Sequence, residues 1–285
     1  MEKLTFPIRG EKFQLSVEAT DHLCHKRTKY QTIDIYETEV FGKVMLLDGH
    51  VQLTTFDERA YHECLVQIPL LNLPSAKKAL VIGGGDGGAI RELCKHPSLE
   101  QIDLVEIDEE VIYGSKKFLP SVGSNSFDDP RVRIYIQDAI DYVHNENGTY
   151  DLIIMDSTDV YEDQPDSLSV ELFSDQFYAD CREALTESGV LVTQADNPVF
   201  CPYSLEKIGQ RLAKIFHHSE AYVGLVPSFG GFSAFCYGAK KELFTPTWNF
   251  NLGNQAGMQV DLEYLNPLTY NLAFNYFNFN PFRTA

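Results

Sequence analysis

Two hydrophobic periods divide this chain. Residues 32–37, Thr-Ile-Asp-Ile-Tyr-Glu, alternate apolar and polar positions, the pattern of a half-buried strand. Residues 42–53, Gly-Lys-Val-Met-Leu-Leu-Asp-Gly-His-Val-Gln-Leu, hold two strand-like runs either side of Asp48-Gly49, a pair that suits a two-residue hairpin turn. Residues 1–58 are therefore expected to form a small antiparallel β-domain, and residues 56–73 a helix lying across its boundary with a second domain, 59–285. From residue 78 the pattern changes. Short apolar runs at 79–82, 102–106, 132–136, 152–155 and 190–194 alternate with helical spacing at 89–95, 109–119, 139–143, 175–184 and 204–215, and further strand pattern follows at 221–226 and 232–237. That alternation predicts an α/β fold with a doubly wound, mostly parallel sheet. The stretch after 249, rich in Asn, Phe and Tyr, reads as packing or subunit contact.

Charge narrows the classes of partner. The 285 residues carry a formal charge of −18. Nucleic acid, whose phosphates need Lys and Arg, is not an expected partner, nor is an anionic membrane surface. Cationic small molecules are compatible with such a balance. The opening Met-Glu-Lys-Leu-Thr-Phe-Pro has no apolar signal region, and no stretch is long enough to span a bilayer. Six cysteines lie far apart with no Cys-x-x-Cys pair, which argues against a disulfide or zinc framework and for a reducing, cytoplasmic setting.

The candidate chemistry sits where the strands end. The run at 79–82 leads into Gly83-Gly84-Gly85-Asp86-Gly87-Gly88 and then a helix start, an arrangement that brings backbone N–H groups close to a ligand. Further acids follow the next strands: Glu106 after the second, Asp138 after the third, Asp156 after the fourth, with Asp159 three residues on. Glu106 lies 20 residues beyond Asp86, about the spacing at which an acid reaches a ribose hydroxyl in nucleoside-binding α/β folds. Any one of these acids alone reads as a helix N-cap or a solvated loop residue. A series of them at successive strand ends forms a negative pocket, and like charges held close call for a positively charged ligand. Asp86 inside the glycine turn would repel the carboxylate of S-adenosylmethionine but could face an ammonium beside a sulfonium.

The motifs together resemble the spermidine synthase (polyamine aminopropyltransferase) family over about residues 10–275. The matching stretches are Tyr30-Gln31, Leu47-Asp48-Gly49-His50-Val51-Gln52, Asp57-Glu58-Arg59-Ala60-Tyr61-His62-Glu63, Gly83 to Gly88 with Arg91-Glu92, Val105-Glu106-Ile107-Asp108, Asp128-Asp129-Pro130-Arg131, Gln137-Asp138-Ala139 and Asp156-Ser157-Thr158-Asp159. The resemblance implies a Rossmann-like, methyltransferase-type catalytic domain. It implies transfer of the aminopropyl group of decarboxylated S-adenosylmethionine to putrescine, with no metal and no cofactor beyond that co-substrate, by a homodimer or homotetramer. By carry-over, Gln31 and Glu106 hold the nucleoside, and Asp138, next to Ala139, takes the adenine amino group. Asp86 and His62 line the aminopropyl and amine region. Asp156 assists deprotonation with Tyr61 beside it, Asp159 helps anchor the acceptor, and Ser157 and Thr158 between them are counted among the substrate-binding residues. Gln52 and Gln194 match pocket positions.

Departures cluster on the acceptor side. The stretch 160–171 is longer than the family's corresponding loop, with Pro165 in it. Where the family has Pro-Thr-Tyr, this chain has Pro227-Ser228-Phe229, and a family histidine near the C-terminus is replaced by Tyr270. His217-His218 reads as surface, and Tyr61-His62 without the resemblance would read as packing at the domain junction. Three alternatives stay open: another amine acceptor (cadaverine, agmatine or spermidine), an S-adenosylmethionine-dependent methyltransferase, and a non-catalytic polyamine-binding paralogue.

Overall fold

The N-terminal strands pair in sequence order. The structure, a computed structural model, describes residues 2–9, 12–73, 75–158, 168–249 and 261–279. Strands β1 (Glu2–Arg9), β2 (Phe13–Arg27), β3 (Thr32–Thr38), β4 (Gly42–Leu47) and β5 (His50–Thr54) form one antiparallel sheet in that order. The β4–β5 turn falls at Asp48-Gly49 as the sequence predicts. Both residues are left-handed (φ 48° and 81°), the twist that a two-residue hairpin needs. The alternation in β3 turns Ile33 and Ile35 inward with Met45, Leu47 and Leu53, and this layer packs on Val111, Leu119 and Val122 of the following half. The other face buries Phe6, Val44 and Leu46.

The second sheet has seven strands: β6 (Lys78–Gly83), β7 (Gln101–Glu106), β8 (Val132–Ile136), β9 (Tyr150–Asp156), β10 (Leu185–Gln194), β11 (His218–Val226) and β12 (Gly231–Ala239). Their spatial order is β11-β12-β10-β9-β6-β7-β8. Strands β6, β7, β8, β9 and β10 run parallel, and β12 lies antiparallel to both β10 and β11. The expected doubly wound sheet is therefore present. Its inner strands read as continuous apolar runs because both faces are covered. Ala79 and Val81 point to the side of the helices Gly88–Cys94 and Pro267–Phe279, and Leu80 and Ile82 to the side of Ala139–His144, Asp175–Ala184 and Pro202–Ile215. Each large buried aliphatic contributes about 1.5–3 kcal/mol. Strand order reverses between β6 and β9, and the crevice outside their carboxyl ends is where a ligand fits such a sheet.

The segment expected as one helix over 56–73 is interrupted. Helical turns at Glu58–His62 and Ile68–Asn72 flank a wider π-type turn at Glu63–Gln67. Pro69 has no N–H to donate back along the helix, and the wide turn stands just before it. Within that turn the Glu63 carboxylate accepts the backbone N–H groups of Glu263 (2.7 Å), Tyr264 (3.0 Å) and Leu265 (2.7 Å). It thereby ties down the approach to the last helix. Tyr270 of that helix is fully buried and donates to the Thr245 carbonyl at 2.7 Å, so it packs the core. The rest of the stretch after 249, at 250–260 and 280–285, lies outside the described residues.

Candidate active site

One cavity of about 640 Å³ opens at the carboxyl ends of β6, β7 and β9. Gln31, Gln52, Tyr61, Asp86, Glu106, Asp138, Ala139, Asp156, Ser157, Thr158 and Gln194 all line it. Residues as far apart in sequence as Gln31 and Gln194 thus meet, because the parallel strands end on one rim and the N-terminal sheet and the Glu58–His62 turn border it. Asp159, and with it Pro165, lies outside the described residues.

The glycine turn permits this crowding. Gly83 has φ of 76°, and a Cβ there would run into the backbone carbonyl of Asp156, whose strand pairs alongside. A Cβ on Gly88 would occupy the imidazole of His62. Asp86 closes the turn: its Oδ1 accepts the Gly88 N–H at 2.6 Å, the local cap its position allows, while the residue also faces the cavity.

His62 departs from the sequence expectation. It does not line the cavity; it is 1% exposed and lies beneath Asp86. Nε2 is 3.3 Å from Asp86 Oδ1 and 3.9 Å from Asp156 Oδ2, and Nδ1 is 2.8 Å from Glu58 Oε2. Glu58 in turn takes a two-pronged contact from the Arg91 guanidinium, 2.9 Å on each side. The i, i+4 spacing of Glu58 and His62 puts both on the helix face that packs against the glycine-turn helix. Burial opposes a charge on the ring, but Asp86 and Glu58 together hold its proton and push it up to about 10. His62 is therefore a buried cation at neutral pH. Burial likewise pushes against ionisation of Asp86, yet His62 and the Gly88 N–H hold its carboxyl below the usual range.

Asp156 is the contrasting acid. Oδ1 accepts the Tyr61 hydroxyl at 2.7 Å, whereas buried Oδ2 accepts no hydrogen bond among the described residues. Burial, then repulsion from Asp86, pushes its carboxyl up to about 6, against the pull of His62 and Tyr61. Two carboxyl groups lining one cavity, Asp86 and Asp156, suit a cation that brings N–H donors. Ser157 Oγ is also buried without a partner there.

At the other end of the rim, Gln31 reaches across from the N-terminal sheet, its amide donating to Asp108 Oδ2 at 3.1 Å. Glu106 accepts the Asp108 N–H at 2.9 Å, and burial pushes its carboxyl up to about 7. Asp138 caps its helix by accepting from Ile140 N at 2.8 Å, so the N-cap reading is right for it while it also borders the cavity. Toward β10, Gln194 donates to the Ser157 carbonyl at 3.0 Å and accepts the Asp196 N–H at 3.1 Å. Thr158 Oγ1 and Gln52 Oε1 stand 3.5 Å apart. Phe229 lies edge-on to Tyr61, ring centroids 5.7 Å apart.

Among the acids to which sequence reasoning gave no site role, three bear most on the geometry described. Asp196 lines the cavity in a left-handed conformation (φ 61°), its carboxyl pushed up to about 6 by burial. Its position two residues past a strand-end glutamine was the available signal. Asp108 orients Gln31, and Glu58 holds His62; both stood in motif stretches without a role of their own.

Comparison with known proteins finds relatives over nearly the whole chain. The family model described as Spermine/spermidine synthase domain matches residues 58–249, and the one described as Spermidine synthase tetramerisation domain matches residues 5–55. A polyamine aminopropyltransferase of Moorella thermoacetica (strain ATCC 39073 / JCM 9320) is 41% identical over 228 residues, 80% of this chain and 78% of that protein. One of Thermoanaerobacter sp. (strain X514) is 37% identical over 267 residues, 93% of this chain and 92% of its own. Among solved structures, a spermidine synthase in complex with the transition-state analogue AdoDATO superposes with a TM-score of 0.87 at 31% identity, covering 96% of this chain and 91% of that one. The spermidine synthase from Thermotoga maritima gives 0.86 at 30%, with the same coverage. This chain is a transferase, and it belongs to the spermine/spermidine synthase family of polyamine aminopropyltransferases.

Proposed function

We propose that the enzyme moves the aminopropyl group of decarboxylated S-adenosylmethionine to putrescine, giving spermidine and 5′-methylthioadenosine. The observation that carries this reading is the convergence of Asp86 and Asp156 on one cavity wall, a pair of acids that a cationic donor group would offset. Glu106 and Gln31 would hold the ribose end, Asp138 and Ala139 the adenine. Asp86 would face the aminopropyl ammonium, and His62 acts on it from behind rather than by contact. Gln52, Thr158, Gln194 and Asp196 border the acceptor end, and Asp159 is assigned there from the motif alone.

The chemistry is a displacement at the carbon beside a sulfonium, and it needs an aligned neutral amine. A free alkylammonium titrates near 10.4, as lysine does. Against an Asp156 carboxyl at about 6 the mismatch is about 4.4 units, about 6 kcal/mol. Asp156 is therefore best placed to orient the amine through Tyr61-fixed geometry and to take its proton as the new C–N bond makes the nitrogen acidic. Neither a metal nor a further cofactor enters this scheme.

Turnover with putrescine, read by mass spectrometry of both products, tests it. Asp156→Asn should lower kcat by about 10²–10⁴-fold. The wild-type rate should rise through about pH 7–9, because the acceptor amine gains its neutral form there, and fall further below about 6 as Asp156 is protonated. Normal turnover in Asp156→Asn, or a flat profile with chemistry rate-limiting, would remove Asp156 from this role. We also infer a homo-oligomer, dimer or tetramer, in which residues 5–55 take part.

A further inference from the structure

Away from the cavity, on the outer face of the N-terminal sheet, two histidines of β2 meet one aspartate of β3. His22 Nε2 lies 2.9 Å and His25 Nδ1 2.7 Å from the same atom, Asp34 Oδ1. In a regular strand, residues three apart point to opposite faces. Here a bulge shifts the β2–β3 register between His22 and Cys24. Leu23 and Cys24 both turn inward onto the layer of Ile33, Ile35 and Met45, while His22 and His25 both stay outside. His25 stands directly across from Asp34, and His22 across from Tyr36, on whose ring it stacks at 4.0 Å and 8°. The bulge and the stacked ring together fix the histidines over one carboxylate.

We propose that His22, His25 and Asp34 form a binding site for a divalent transition cation of the zinc class. Two imidazole nitrogens and one carboxylate oxygen are a donor set such cations accept. The three atoms lie within 4.8 Å of one another. Bonds of about 2.0–2.2 Å in a tetrahedral arrangement place ligand atoms about 3.3–3.5 Å apart. From 2.9 and 2.7 Å the two nitrogens back away from the oxygen by about 0.4–0.8 Å and settle at the same spacing from each other. Their side chains are 35% and 63% exposed and can do so, with Asp34 at 15% as the fixed point. Solvent supplies the remaining ligand. The Cys24 thiol is turned toward the core and takes no part.

The test is a calorimetric titration of the chelator-treated, tag-free protein with Zn²⁺, with bound zinc counted by emission spectroscopy after desalting. His62, Asp86 and Asp156 also converge, so the informative quantity is the difference between variants. His22→Gln/His25→Gln should lose one zinc equivalent per chain. Asp34→Asn should weaken that equivalent at least tenfold, and His217→Gln/His218→Gln should keep it. Circular-dichroism melts identify any variant that has lost its fold, in which case the exposed single change His25→Gln carries the comparison. Unchanged stoichiometry and affinity in His22→Gln/His25→Gln, or no zinc uptake by the wild type, would overturn the proposal.

Discussion

Asp156 and Phe229 face the same space and set different properties of it. The first has one oxygen held by Tyr61 and one buried without a hydrogen bond among the described residues. The second presents a ring edge to Tyr61 where relatives of this fold carry a hydroxyl by the motif argument. Phe229→Tyr should restore a hydrogen-bond partner to a charged amine, an interaction of about 1.5–3 kcal/mol, and should lower the putrescine KM by about tenfold with kcat little changed. An unchanged or higher KM would mean that the acceptor is held elsewhere, for example by Asp196. At this scale much was legible. An acid at a strand end is visible in the letters, because strand polarity puts the ends of parallel strands on one rim. What letters cannot give is which oxygen is already satisfied. Asp86 and Asp138 turned out to cap their own turns as well as to border the cavity, whereas Asp156 takes the Tyr61 hydroxyl on Oδ1 and keeps Oδ2 buried without a hydrogen bond among the described residues.

Elements explain why His62 sits where no ligand touches it. The glycine-turn helix approaches the Glu58–His62 turn so closely that a Cβ on Gly88 would fill the imidazole site. The ring is thereby pinned between Glu58 and Asp86. Its pKa is raised on folding from the ordinary 6.5 to about 10, so the stability it contributes is fully present below about 6.5 and fades as pH climbs toward 10. Thermal melts from pH 6 to 10 should show a steeper decline for the wild type than for His62→Gln, which has no such proton to lose. Parallel slopes would contradict a charged His62. Helical spacing alone placed Glu58 and His62 on one face. It could not say that this face is covered by a second helix, because depth depends on contacts between elements distant in sequence. The same limit hid the π-type turn before Pro69, where the interruption also depends on Glu63 reaching forward to residues 263–265.

For the whole molecule, the alternation of strand and helix spacing sufficed to predict the doubly wound sheet, since buried parallel strands must be apolar on both faces. The order of its strands is not contained in the periodicity and comes from the structure. Assembly is the next level. Light scattering should give a mass of two or four times the 32.3 kDa chain, and a monomer at working concentration would contradict the oligomer. Net charge belongs here too: a molecule at −18 draws cations toward its surface, but the rim of carboxylates is what would select among them. That selection is the central claim, and competing affinities measure it most directly. Titrated calorimetrically into the wild-type enzyme, decarboxylated S-adenosylmethionine should bind at least tenfold more tightly than S-adenosylmethionine, because the extra carboxylate meets Asp86. Equal or tighter binding of S-adenosylmethionine would contradict the account.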